Sequence, residues 1–60
     1  MEIKIYRLSD VKRCVRLSKS QIYAMVQRGD FPKPFKLSER ASGWDAAEVS
    51  RWIESRKAAA

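Results

Sequence analysis

The sequence predicts a small, mainly α-helical domain of three helices, with a two-stranded β-hairpin between the second and the third. Apolar residues recur at helical spacing in three short segments, and each segment begins near a side chain that can cap a helix. The second helix should run to about Arg28, and Pro32 and Pro34 prevent it from continuing because they disfavour helix in the residues before them. A chain of 60 residues is expected to form one domain, residues 1–60, whose core supplies only about 3–5 kcal/mol of stability.

The chain is expected to start with a short extended segment and a first helix. Residues 3–8 alternate apolar and polar side chains, which is typical of an edge strand. Ser9 is the expected N-cap of the helix, and Asp10 lies near the positive end of its dipole. The apolar face of this helix would consist of Leu8, Val11, Cys14 and Val15. Cys14 is therefore predicted to be a small buried residue.

The second helix is expected to have a polar start and an apolar face. Ser18 and Gln21 have the spacing of a capping box, in which each side chain bonds the backbone amide of the other. The polar, cationic first turn consists of Lys19, Ser20 and Gln21, and the apolar face of Ile22, Met25 and Val26. Gly29 is the expected left-handed stop. Because few residues separate the first two helices, they should cross steeply, as in a helix-turn-helix.

Two strand-like pieces after the prolines predict the β-hairpin. Residues 35–37 and 41–44 would pair around a turn at residues 38–40, with Arg40 near the tip. An isolated hairpin is marginal in water, so its apolar side chains should pack against the helices. These side chains are Phe35, Leu37 and Trp44. A hairpin attached to a helix-turn-helix in this way is called a wing.

Asp45 and Glu48 have the spacing of a second capping box, which predicts a third helix that runs to about Lys57. Its apolar stripe would consist of Val49, Trp52 and Ile53. Three helices, a two-stranded wing and a short N-terminal extended segment together predict a winged helix-turn-helix.

Positive charge is concentrated in the middle of the chain. Lysine and arginine number 13 against 7 aspartate and glutamate, which gives a formal net charge of +6 and a pI near 10.0. The whole excess lies between Lys12 and Arg40. This balance indicates a polyanionic partner, and a helix-turn-helix with a cationic first turn indicates double-stranded DNA. The alternative is a solvated basic face.

Several classes of function are disfavoured by what the sequence lacks. The absence of histidine excludes Ser-His-Asp and Cys-His catalysis, and a single cysteine excludes a disulfide within the chain and a cysteine-rich zinc site. We therefore expect no enzyme activity and no cofactor. The N-terminal residues lack the apolar stretch of a signal peptide, so we expect a cytoplasmic protein that does not interact with membranes.

A set of residues between Arg7 and Arg56 forms a more specific pattern than a generic helix-turn-helix. They are Arg7-Leu8, residues 17–20, Ile22-Tyr23, residues 29–34, Lys36-Leu37, Gly43-Trp44, Glu48-Val49 and Trp52. This pattern resembles the AlpA family of prophage regulators, small winged helix-turn-helix proteins akin to excisionases and to the DNA-binding head of MerR-type regulators. The resemblance implies a sequence-specific DNA-binding transcriptional regulator of a phage or integrative element, or alternatively an excision cofactor.

Ten residues are predicted to contact DNA. The first turn of the second helix would read base edges or phosphates in the major groove, and the cations of the wing would grip the flanking backbone or minor groove. For Tyr23 the alternative is core packing, for Arg28 it is stabilisation of the helix dipole, and for the wing cations it is solvation. The candidate contacts are Arg16, Ser18, Lys19, Ser20, Gln21, Tyr23, Arg28, Lys33, Lys36 and Arg40. Trp44 and Trp52 are expected to pack in the core rather than stack on bases.

Arg16 is where the chain departs from the family pattern. Family members usually carry glycine just before the Leu-Ser of the turn. If that position requires a positive φ, arginine there is strained by about 1 kcal/mol. Either the turn is remodelled, or Arg16 is kept because it contacts a phosphate.

Three functional classes remain in competition. A regulator would read the major groove, an excisionase-like architectural factor would bend DNA and recruit an integrase, and an interaction module would bind an acidic protein through its basic face. Binding by one small domain should be weak, so two or more copies are expected on repeated half-sites. An integrase or RNA polymerase is a further candidate partner.

Overall fold

The computed structural model describes residues 4–59, which contain three helices and three short strands. In chain order these elements are β1 (Ile5–Tyr6), α1 (Leu8–Val15), α2 (Lys19–Arg28), β2 (Phe35–Ser38), β3 (Ala41–Asp45) and α3 (Ala46–Ala59). Three helices with an antiparallel hairpin between α2 and α3 confirm the predicted fold class. Ile3, the first residue of the predicted edge strand, lies outside the described residues.

The hairpin belongs to a three-stranded sheet and is not a free two-stranded wing. β3 lies in the centre of the strand order β1-β3-β2, and both pairings are antiparallel. Ile5 pairs with Asp45 and Tyr6 pairs with Trp44. The N-terminal extended segment is therefore an edge strand, as predicted, and it supports the base of the wing immediately before α1 begins.

Phe35 and Leu37 are exposed, so the prediction that they pack against the helices was wrong. Phe35 pairs with Gly43 across the hairpin, and side chains alternate between the two faces of a strand. Phe35 and Leu37 therefore lie on the outer face with Gly43, whereas Trp44 points towards the helices. Their exposed fractions are 42% for Phe35 and 43% for Leu37, against 1% for Trp44.

Gly43 lets β1 approach the centre of the sheet closely. A Cβ atom at this position would lie 2.7 Å from Cγ2 of Ile5 and 3.1 Å from the backbone oxygen of Tyr6. Real Cβ contacts of 2.7 Å do not occur without displacement of a neighbour. Glycine in the Gly43-Trp44 pair is thus explained by strand packing.

The start of α1 differs from the prediction, whereas both ends of α2 agree with it. Arg7, not Ser9, is the N-cap of α1, because the Asp10 carboxylate accepts a hydrogen bond from the Arg7 backbone amide at 3.0 Å. α2 begins after Ser18 and ends at Gly29, which has φ 80°. The amides of Gly29 and Asp30 donate to the carbonyls of Val26 and Met25, the Schellman pattern that terminates a helix.

Cys14 is exposed, so the prediction that it is buried was wrong. At 3.6 residues per turn, Cys14 lies about 60° from Val11 on the side away from Leu8 and Val15. It therefore falls at the margin of the apolar face. Electrostatic repulsion from the neighbouring Cys14 side chain, followed by a hydrogen bond between the two side chains, raises the pKa of the Tyr6 hydroxyl above its usual value.

The core draws a side chain from each helix, from the sheet and from the loop after α2. Its members are Val11, Ile22, Phe31, Trp44 and Val49, each at most 4% exposed. Leu17, in the turn between α1 and α2, packs against this cluster and fixes the crossing of the two helices. The polar first turn of α2 is thereby held on the outside of the molecule.

The third helix follows β3 without a loop. The Asp45 carboxylate accepts a hydrogen bond from the Ala47 amide at 2.9 Å, as expected of an N-cap. Ala46 and Val49 are buried, and Trp52 and Ile53 pack against the core, which confirms the predicted stripe. In the part of the chain that the structure describes, no helix is long and apolar enough to cross a membrane.

Candidate nucleic-acid interface

The first turn of α2 presents free polar groups to solvent. Lys19 and Ser20 are exposed, and within residues 4–59 their side chains form no hydrogen bond or ion pair. A lysine without an acidic partner can bind an external anion without first breaking an ion pair. The fold thus places a cation and a hydroxyl at the tip of a rigid, capped helix.

Gln21 and Ser18 are engaged with each other's backbone. The backbone amide of Gln21 donates to Oγ of Ser18 at 3.2 Å, and the backbone amide of Ser18 donates to Oε1 of Gln21 at 3.1 Å. The predicted capping box is therefore present. It holds the carboxamide of Gln21 against the start of α2 and leaves its NH2 group free as a donor, so the range of base edges that Gln21 could read is reduced.

Arg16 adopts the left-handed conformation, with φ 60° and ψ 37°. Its amide donates to the carbonyl of Lys12 at 2.8 Å and ends α1. Of the two possibilities raised by the sequence, remodelling of the turn is thus excluded. Arg16 retains the backbone shape that glycine adopts easily and carries an exposed side chain directly before the first turn of α2.

Tyr23 and Arg40 meet at a cleft between α1, α2 and the wing. The cleft has a volume of about 450 Å³ and is also lined by Arg7, Ser9 and Ser42. Tyr23 is half-buried, and its ring centroid lies 6.1 Å from that of Trp44, so its ring packs in the core while its edge reaches the cleft. The position of Tyr23 is therefore compatible both with core packing and with a contact to DNA.

The remaining candidate residues lie away from the first turn of α2. Arg28 is at the far end of this helix, about 14 Å along its axis from Lys19, and its Nε lies 3.1 Å from Oδ2 of Asp30. Lys33 is exposed in the irregular segment before the wing. Lys36, on β2, has its Nζ 3.5 Å from the carbonyl of Glu39. Arg28 is thus paired with an acidic side chain, whereas Lys33, Lys36 and Arg40 form no ion pair within residues 4–59.

The loop between α2 and the wing is fastened to α3. Nε1 of Trp52 donates to the carbonyl of Asp30 at 2.6 Å, and the Phe31 ring meets the Trp52 ring edge-on at 4.8 Å. The guanidinium of Arg56 lies 4.9 Å from the Trp52 ring and also donates to the Asp30 carbonyl, at 3.3 Å. Nε1 of Trp44 donates to the carbonyl of Pro32 at 2.8 Å. These contacts fix the wing relative to α2.

Sequence reasoning missed the residues that the start of α1 adds to the cleft. The sequence predicts that Arg7 lies in an edge strand, that Ser9 caps a helix and that Ser42 lies in a strand of the hairpin. Their approach to Arg40 depends on how α1 crosses the sheet, and local sequence does not contain that information.

Among residues 4–59, no group of three or more His, Cys, Asp or Glu side chains could hold a metal ion.

Three helices, a hairpin and a cationic helix tip beside it fit the class of winged helix-turn-helix proteins. The family model described as prophage CP4-57 regulatory protein (AlpA) matches residues 4–57, so the chain belongs to the AlpA family. It is also 31% identical over 53 residues to an uncharacterized protein, ORF88, of Enterobacteria phage P4. This match covers 88% of the chain and 60% of the phage protein, so the chain spans less than two thirds of that relative's length.

Proposed function

We propose that this AlpA-family protein is a sequence-specific DNA-binding transcriptional regulator of a phage or integrative element. The first turn of α2 enters the major groove, and the wing contacts the flanking DNA. The observation that carries the proposal is the exposed, capped start of α2, where Lys19 and Ser20 have no partner among the described side chains. The family description as a regulatory protein supports it.

Electrostatics support a nucleic acid as the polyanion. The candidate cations lie in the stretch that holds the entire charge excess of +6. Arg16, Lys19 and Arg40 make no ion pair within residues 4–59, so binding would not have to break one. If four to six phosphates are neutralised, log K should fall with log salt at a slope of about −4 to −5.

Fluorescence polarisation tests the proposal. The intact chain is titrated into labelled duplexes from upstream of its own gene and into random duplexes of equal length, at several salt concentrations. We expect tighter binding to the upstream DNA and the steep slope given above. Equal affinity for both duplexes would refute sequence-specific binding. Absence of salt-dependent binding to either duplex would refute DNA as the partner.

Two or more copies are proposed to bind repeated half-sites, because a single domain of this size grips few phosphates. Footprinting at saturation should then protect adjacent repeats. Protection of one half-site would contradict this part of the proposal. A DNA-bending assay on the same fragments separates a regulator, which needs no large bend, from an excisionase-like architectural factor.

Arg16→Gly is expected to weaken DNA binding while slightly stabilising the fold. Glycine relieves the left-handed strain, which is worth up to about 1 kcal/mol, and it removes one cation beside the start of α2. Affinity for DNA should fall about 3–10-fold, and the salt slope should become shallower by about 0.9. Thermal unfolding and polarisation titrations measure the two effects.

Arg16→Ala is the matched control for this variant. It removes the same charge but keeps a Cβ atom at positive φ, so its melting temperature should not rise. Both variants should lose the same DNA affinity. Unchanged binding by either variant would show that Arg16 does not contact DNA.

A further inference from the structure

We propose that the cleft between the start of α1, the middle of α2 and the wing binds one phosphate of the DNA backbone. Arg7 and Arg40 would be its anchors. The cleft has a volume of about 450 Å³, which is ample for a phosphodiester group and its flanking sugar oxygens. This inference rests on the proposed function. It adds Arg7, Ser9 and Ser42 to the DNA contacts and joins them to Arg40 and Tyr23 in one site.

The lining of the cleft has the chemistry of an oxyanion site. Arg7 and Arg40 line it together with three hydroxyl-bearing residues, which are Ser9, Tyr23 and Ser42. Guanidinium groups bind phosphate oxygens with two parallel hydrogen bonds, and hydroxyl groups commonly donate to the same oxygens. The lining contains no carboxylate, so nothing within it would repel an anion.

The side chains of Arg7 and Arg40 are available to bind a ligand. In the described part of the chain, neither the Arg7 nor the Arg40 side chain forms a hydrogen bond or an ion pair. Other cations are paired: Arg13 lies 3.6 Å from Asp10, and Lys57 lies 3.8 Å from Glu54. Asp10, the carboxylate nearest in sequence to Arg7, is occupied by Arg13 and by the backbone amide of Arg7.

The position of the cleft favours a DNA strand over a free ion. Its residues come from α1, α2 and the wing, so a ligand there touches all three elements at once. Ser42 and Trp44 lie two residues apart on β3 and therefore share the face that points towards the helices, and both residues line the cleft. A phosphate held between helix and wing would set how α2 is rotated and placed in the groove, without reading a base.

Arg7→Gln and Arg40→Gln test the site, with Arg13→Gln as a matched control. All three remove one charge from an exposed arginine, but Arg13 lies outside the cleft and is paired with Asp10. Polarisation titrations against upstream and random duplexes are made at several salt concentrations. Each cleft variant should lose about 3–10-fold in affinity for both duplexes, and its salt slope should become shallower by about 0.9. Arg13→Gln should change affinity less than about 2-fold, and all three should melt like the wild type.

Ethylation interference identifies the phosphate. Ethylation of one DNA phosphate should weaken binding by the wild-type protein. Ethylation of the same phosphate should not weaken binding by the Arg7→Gln variant any further. Inorganic phosphate, added at constant ionic strength, should compete only weakly if the site requires a DNA strand; strong competition would show a free-anion site instead.

Two results of the polarisation titrations also overturn the inference, and they can be distinguished from each other. If the wild type binds DNA but Arg7→Gln keeps its affinity and slope, the cleft is not a phosphate site and the proposed function stands. If the wild type shows no salt-dependent DNA binding, the proposed function fails and the cleft inference fails with it.

Discussion

Trp44→Ala is expected to leave a large fraction of the protein unfolded at 25 °C. The Trp44 side chain is 1% exposed, and it packs against Tyr23 at 6.1 Å and Phe31 at 6.4 Å between ring centroids. Truncation of a buried tryptophan costs about 3–5 kcal/mol. The core of a domain this small supplies about the same amount, so the free energy of unfolding should fall close to zero.

Far-UV circular dichroism and thermal unfolding measure this effect. Trp44→Phe is the matched variant, since it keeps an aromatic ring but loses the hydrogen bond from Nε1 to the carbonyl of Pro32. It should stay folded and lose about 1–2 kcal/mol, or roughly 4–16 °C in melting temperature. Ser50→Ala, on the exposed side of α3, should melt like the wild type. A cooperative transition near the wild-type temperature in Trp44→Ala would contradict this account of the core.

Features set by local interactions could be predicted from the sequence. The capping box of Ser18 and Gln21, the stop at Gly29 and the hairpin turn at Arg40 each depend on residues within a few positions of one another, and all three are present. The positive φ of Arg16 agrees with the resemblance to the AlpA family, whose members usually carry glycine at this position. Among the residues that the structure describes, Arg16 is the one residue other than glycine with a positive φ.

Features set by register and by helix crossing could not be predicted. The alternation of β2 is equally compatible with Phe35 and Leu37 facing inwards or outwards, and pairing with Gly43 decides between them. The place of β1 in the sheet and the cleft formed by Arg7 and Arg40 depend on contacts between distant segments. Cys14 was assigned to the apolar face because it lies three residues after Val11, although its direction on the helix is marginal.

Trp52→Ala is expected to weaken DNA binding without changing its salt dependence. Trp52 fastens the loop after α2 to α3 through its bond to the Asp30 carbonyl and its contact with Phe31. Without these contacts the wing should sample several positions relative to α2. DNA that contacts both elements could then bind only when α2 and the wing are in the correct relative position. If the competent arrangement is populated about 10–30% of the time, affinity falls about 3–10-fold.

Stability should fall as well, by about 2–3 kcal/mol, because the half-buried indole is replaced by a methyl group. Titrations are therefore made at a low temperature at which circular dichroism shows that the variant is folded. Lys19→Gln is the comparison variant, since it removes a proposed phosphate contact and should reduce the slope by about 0.9. A reduced slope in Trp52→Ala would show that cationic contacts of the wing or of Arg56 are lost from the complex, which would contradict a role in positioning alone. An unchanged slope with weaker binding supports a role in positioning the wing, because removal of an uncharged side chain that orders the loop changes affinity but releases no fewer counterions.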